Sequence, residues 1–215
     1  MANTNVAFGL RPLSKLGSNY NSTGTTEYRI AAGNTNRIYQ GSPVIPLTAG
    51  VIDIVGASAG GSVAFLGVFY GCEYVSSTNG EVIFSNNWPG SGADTNHPVK
   101  AFVYDDPNQL FVIAGDAGGG SFDTEAEIRT TIFKNAAGVN LNAGNNTTGI
   151  STGVLDLSGA DGTATKQLRI VGIQEDSENS DFTAAGIPFI VRLNAHFNAN
   201  ASRFDSQTTS LTTGI

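Results

Sequence analysis

Charged residues are scarce in this chain: Asp, Glu, Lys and Arg make up 13% of 215 residues, about half the share of an ordinary soluble domain. Long solvated helices depend on Glu, Lys and Arg for their outer face, so the shortage argues against them. Asn, Thr, Ser and 27 glycines take the place of the charges, and these residues suit turns and strand edges. Cysteine occurs once, as Cys72, so no disulfide can form within the chain. That thiol reads as a small buried residue beside a strand. Histidine occurs twice, as His97 and His196, and neither has a metal-ligating partner at zinc-site spacing. The longest apolar run, Val63 to Tyr70, is far too short to cross a bilayer. Met1 to Asn5 carry neither the basic region nor the apolar stretch of a secretory signal, so synthesis in the cytoplasm is expected.

What is present points to β structure. Hydrophobic residues make up 40% of the chain, enough for a core in one large domain. The formal net charge is −7. A protein that coats nucleic acid through its phosphates should be basic, so direct nucleic-acid binding is disfavoured. Anionic membrane surfaces are disfavoured for the same reason. The acidity reads as a solubility feature of a surface facing water.

The first 25 residues read as an extended arm. Val6 to Leu13 hold apolar groups without a helix or strand period, Pro12 interrupts any ladder, and Gly17 to Thr25 form a polar linker. Residues 26–197 read as a single β-rich body. Short strands are expected at Tyr28–Ile30, Pro43–Leu47, Val51–Val55 and Val63–Tyr70, with a bend or bulge at Gly67. Glu73–Ser76 and Glu81–Phe84 flank Ser77-Thr78-Asn79-Gly80, where Asn-Gly signals a hairpin. Val99–Tyr104 and Gln109–Ile113 flank Asp105-Asp106-Pro107-Asn108, which reads as a second hairpin.

One helix is expected, over Thr124 to about Thr131 with Ser121 as its cap. It lies in a Gly/Asn/Thr-rich insertion, residues 115–166, with apolar islands at Val139–Leu141 and Val154–Leu157. Gln167–Ile173 and Pro188–His196 are two further strands around an acidic loop, Glu175 to Asp181. Residues 198–215 form a polar C-terminal tail. The fold class that follows is all-β: an antiparallel β-barrel or β-sandwich, jelly-roll-like, with an extended N-terminal arm and at most one short helix.

A search for chemistry finds little. There is no nucleophile elbow and no phosphate loop. Gly115 to Gly120 precede a helix but have no lysine beside them, and Asp116 would repel an anion. Asp105 and Asp106 are adjacent in extended chain, so their side chains diverge and cannot share one proton-transfer site. The acidic loop lacks the glycine and spacing of a calcium loop and reads as a solvated turn. The aromatic residues fall on strands without a basic groove, which favours core packing over base stacking. The sequence therefore predicts a non-enzymatic protein with no cofactor and no metal.

Several segments resemble a group of small structural proteins of tailed-phage virions. The opening Met1-Ala2-Asn3-Thr4-Asn5 is followed by Phe8-Gly9-Leu10-Arg11-Pro12. Phe65 to Tyr74, Trp88-Pro89 and Val103-Tyr104-Asp105-Asp106-Pro107 come next, then Leu168 to Ile173 and Val191 to His196. The shared order, over residues 1 to about 197, carries the resemblance. It implies a decoration (cement) protein on the outer capsid surface that bridges neighbouring subunits, with the major capsid protein as partner. The negative charge fits an outer rather than a DNA-facing surface. Phe8, Leu10, Arg11, Pro12 and Leu13 are the candidate capsid-contact residues of the arm. A homo-oligomer is expected, a trimer before a dimer because capsid lattices offer many three-fold positions. A neck, tail or fibre-associated adaptor and a carbohydrate-binding β-sandwich module are the alternatives with the same composition.

Overall fold

A computed structural model describes residues 3–17, 24–57, 64–116 and 122–199. The tail expected at 198–215 falls outside these residues from position 200 onward. The described chain is nearly all antiparallel β structure, arranged as two sheets. The first sheet has the order β1-β8-β13-β12-β9. Its strands are β1 (Arg11–Lys15), β8 (Gln109–Ala114), β9 (Asn135–Ala136), β12 (Leu168–Ile173) and β13 (Pro188–Leu193). The second has the order β2-β7-β5-β3-β4, with β6 also paired to β5. Here the strands are β2 (Thr26–Ile30), β3 (Pro43–Pro46), β4 (Ile52–Ile54), β5 (Gly67–Val75), β6 (Val82–Ser85) and β7 (Val99–Tyr104). A two-stranded ribbon joins β10 (Gly138–Val139) to β11 (Val154–Leu155).

Neither sheet closes on itself, so the barrel alternative gives way to a sandwich-like arrangement. The main core lies between the sheets. Phe111 and Ile113 of β8, Phe189 and Val191 of β13, and Leu168 and Ile170 of β12 share one face and meet Ile45 of β3 and Val68 of β5. The opposite face of the second sheet has a core of its own, built from Phe69, Cys72, Val99, Ala101 and Val103 beneath Ile38 and Trp88. Trp88 is fully buried, meets Tyr74 edge-on, and donates its indole N–H to the Asn34 carbonyl at 3.2 Å.

Several expectations are corrected. Residues 11–15, read without a strand period, form a strand despite Pro12: β1 pairs with β8 as the outermost strand of its sheet. Proline survives there because an outer strand has one side without a ladder to donate into. The Asp105–Asn108 turn does not make a hairpin, since β7 and β8 lie in different sheets and the turn is a corner between them. Gly67 is not the bulge. A methyl group there would run into the Tyr104 carbonyl and the Val103 side chain, so the glycine permits close approach of β7. The bulge falls at Tyr70, the extra residue between the Phe69–Val103 and Gly71–Phe102 pairs.

The β5–β6 connection is a hairpin, but only Gly80 takes positive φ, at +72°. Ser76 and Glu81 close the expected four-residue loop, Ser77 to Gly80. The helix α1 is Glu125–Arg129, and Thr124, not Ser121, caps it. Thr124 and Glu127 form a reciprocal capping box. Residues of the 115–166 stretch also enter the main core through Ile128, Ala136, Leu141, Leu155 and Leu157.

Candidate interaction surface

The Phe8-Gly9-Leu10-Arg11-Pro12 motif enters the body at the seam between the two sheets. Gly9 has φ +69°, and a side chain there would meet Ser151 Cβ at 2.6 Å and the Gly41 carbonyl at 2.8 Å. The glycine therefore lets the chain turn flush against the 41 and 151 segments. Its N–H donates to the Gly153 carbonyl at 3.1 Å, and the Leu10 N–H donates to the Gly41 carbonyl at 2.9 Å. With the backbone fixed, alternate side chains go to different places. Phe8 is buried against Val112 and Ala114 on the outer face of β8, and Leu10 is 1% exposed in the main core.

The five candidate contact residues of the arm thus differ in exposure. Phe8 and Leu10 pack mainly within this chain, with 5% and 1% of their surface exposed. Arg11 and Leu13 stand exposed, and Pro12 is half-buried. The Arg11 guanidinium lies 4.0 Å from the centroid of the Phe8 ring, an attraction between cation and ring face.

Beside Arg11 the surface opens into a hollow of about 230 Å³, walled by Phe8, Leu10, Pro12, Val68, Phe69 and Ile150. Arg11, Gln40, Tyr70 and Tyr104 also line it. Tyr70 is 47% exposed because the bulge in β5 turns it outward, and its ring meets that of Tyr104 edge-on at 5.5 Å. Burial, and then the Tyr70 phenol, push the Tyr104 hydroxyl above its usual range, so it remains protonated at neutral pH. An apolar floor with phenol and guanidinium groups is suited to receiving an apolar or aromatic side chain with an acceptor beside it. Sequence reasoning missed Tyr70. The break in alternation across Phe69-Tyr70-Gly71-Cys72 was the available signal.

The remaining candidates are engaged in holding the fold. Asp105 accepts the Tyr28 hydroxyl at 2.7 Å and the Thr26 hydroxyl at 2.8 Å, while Asp106 pairs with Lys15 at 2.6 Å. The two carboxylates thus tie the corner to β2 and β1 respectively. Asp116 accepts the Leu157 N–H at 3.1 Å, and residues 117–120 of that glycine run lie outside the described residues.

His97 is exposed and 3.8 Å from Asp94. His196 is buried, its Nδ1 accepting the Asn198 N–H at 3.1 Å and its Nε2 without a hydrogen-bond partner among the described residues. Burial pushes its pKa down to about 4, against the pull of Asp105 and Asp106.

The acidic loop holds the start of the chain. Asn3 donates to the Asp181 and Ala185 carbonyls at 3.0 and 2.9 Å and accepts the Asp181 N–H at 2.9 Å. Asp176 fixes the buried Asn179 amide at 2.7 Å. Among the described residues, no three His, Cys, Asp or Glu side chains gather as a metal-holding group, and no helix is long and apolar enough to cross a membrane.

Comparison of the chain with protein-family models, with curated proteins and with solved structures gives no match.

Proposed function

We propose that this protein is a structural, non-enzymatic component of a tailed-phage virion that binds the outer surface of the assembled capsid and stabilises it across neighbouring subunits. One observation carries the reading. One of the segments that carry the resemblance, Phe8 to Pro12, builds one wall of an apolar hollow that Gln40, Tyr70 and Tyr104 also line. The motif thereby has two parts: Phe8, Gly9 and Leu10 anchor the segment, and Arg11 is offered outward.

The physical basis of stabilisation is linkage. A protein that binds the assembled shell and not free subunits shifts assembly toward the shell by mass action. Arg11 offers a planar donor fork to a carboxylate on the capsid, and the hollow takes an apolar side chain beside it. Each contact is modest, and many copies on a repeating lattice multiply the effect through avidity.

The test is binding of the purified protein to shells lacking it. Arg11→Ala combined with Tyr70→Ala should lower occupancy by about tenfold or more, the loss expected for two interface anchors, while the circular dichroism and melting curve stay as in the parent. Undiminished occupancy would reject the hollow as the contact.

A further inference from the structure

An exposed sheet edge invites pairing with another strand unless it is guarded by charge, proline, a bulge or shortness. Among the described residues, four of the five outer strands of the two main sheets carry such guards. β1 has Pro12 and an irregular register, β2 exposes Glu27 and Arg29, β4 is three residues long with Asp53 in it, and β9 has two residues. β6, Val82-Ile83-Phe84-Ser85, has none.

The register fixes what its free side offers. The Ser76 N–H donates to the Glu81 carbonyl at 2.8 Å, so 76–81, 74–83 and 72–85 are the hydrogen-bonded pairs between β5 and β6. The backbone groups of Val82 and Phe84 therefore point away from β5, toward a side where no described strand lies. Their side chains share one face and are 56% and 72% exposed.

We propose that β6 pairs with β6 of a second copy of this chain, antiparallel about a two-fold axis at Ile83. The pairing is self-complementary. Val82 faces Phe84 of the second copy and exchanges both backbone bonds with it, and Phe84 does the same with the other Val82. The four apolar side chains then gather on one face as cross-strand pairs. No like charges meet: Glu81 falls opposite Ser85, and its carboxylate is already held by the Asn79 amide at 2.6 Å. Glu73, beside Phe84 on β5, is neutralised by Lys100 at 3.2 Å. Pairing consumes the one unguarded edge of the two main sheets among the described residues, so the assembly closes at two chains and does not propagate into a fibre. This inference is independent of the capsid reading and favours the dimer over the trimer expected from lattice symmetry.

The experiment is the mass of the full-length protein in solution by light scattering over a range of concentrations. The parent should approach the mass of two chains. Phe84→Lys, which places a charge at a position already exposed, should raise the dissociation constant by about tenfold or more, from the loss of two cross-strand pairs.

Register is tested by oxidation. Ile83→Cys, opposite itself across the axis in a non-hydrogen-bonded pair, should cross-link two chains, and Phe84→Cys should do so far more slowly. A parent that stays a single chain at every concentration would overturn the proposal. So would a three-chain mass indifferent to Phe84→Lys, or faster cross-linking through residue 84. Loss of shell binding by Phe84→Lys with a single-chain parent would assign the edge to another protein's strand and reject self-pairing.

Discussion

The side-chain carbonyl of Asn179 accepts the backbone N–H of Asn5 at 2.6 Å, joining the start of the chain to the loop between β12 and β13. The same oxygen lies 3.3 Å from the Thr4 hydroxyl, and the Asn5 amide donates to the Gly186 carbonyl at 3.0 Å. A polar clamp with Asn179 at its centre therefore holds the segment leading into Phe8. Removing it with Asn179→Ala should cost about 1–3 kcal/mol, the range for leaving buried partners unsatisfied. Hydrogen exchange of the amides at residues 3–8 should rise. Unchanged protection there would show that Phe8 and Leu10 alone hold the segment.

Gly9 should not tolerate a side chain. Its φ of +69° and the approach of Ser151 and Gly41 combine strain with overlap. Gly9→Ala should destabilise by about 2–4 kcal/mol, since backbone strain and overpacking add. Urea unfolding followed through Trp88, the only tryptophan, reads the change directly. A shift below 0.5 kcal/mol, taken as roughly the size of a neutral surface change, would contradict the geometry.

Stability should fall as pH drops from neutrality toward 4, with His196 as a main cause. Burial lowers its folded-state pKa from 6.5 to about 4, so the unfolded chain binds the extra proton in that window. Asp105 and Asp106 favour the charged form and Arg192 opposes it, and burial prevails. Stability is thus present in full above pH 6.5 and is lost as pH falls, by about 2 kcal/mol at pH 5. Melting temperatures at pH 7 and 5 test this, with His196→Asn flattening the dependence. An equal pH dependence in that variant would assign it to other groups.

Trp88 should report a well-packed second core. It is fully buried between Tyr74 and the Asn34 carbonyl. Its fluorescence should be blue-shifted in the native protein and move to the red in the same transition that circular dichroism reads. Trp88→Ala should cost about 3–5 kcal/mol. Red-shifted native emission would contradict its burial.

Strand positions were legible because alternation is a local property. Val99 to Tyr104 shows it plainly, with buried residues at 99, 101 and 103. Partner choice was not legible. The Asp105–Asn108 turn closes with the Gln109 N–H on the Asp106 carbonyl at 3.0 Å whether or not the flanking strands pair with each other. Its carboxylates decide the outcome through Tyr28 and Lys15, residues 77 and more positions away.

The pairing of residues 11–15 was not legible for the same reason. Pro12 forbids a central strand and permits an outer one, and only the sheet order distinguishes these. Leu141, Leu155 and Leu157 looked like islands because each reaches the core from a short segment without a period of its own. Of the candidate surface, Arg11, Pro12 and Leu13 were visible in the motif. Tyr70 depended on a one-residue bulge, and the clamp at Asn179 on a contact across most of the chain.

The proposed function requires many copies of the protein on the outside of a capsid. Cryo-electron microscopy of particles purified with this protein measures copy number and location together. Density should appear at repeated local-symmetry positions over the whole outer shell, with the Arg11 and Tyr70 face against the capsid subunits. A few copies confined to one vertex, or none, would contradict it.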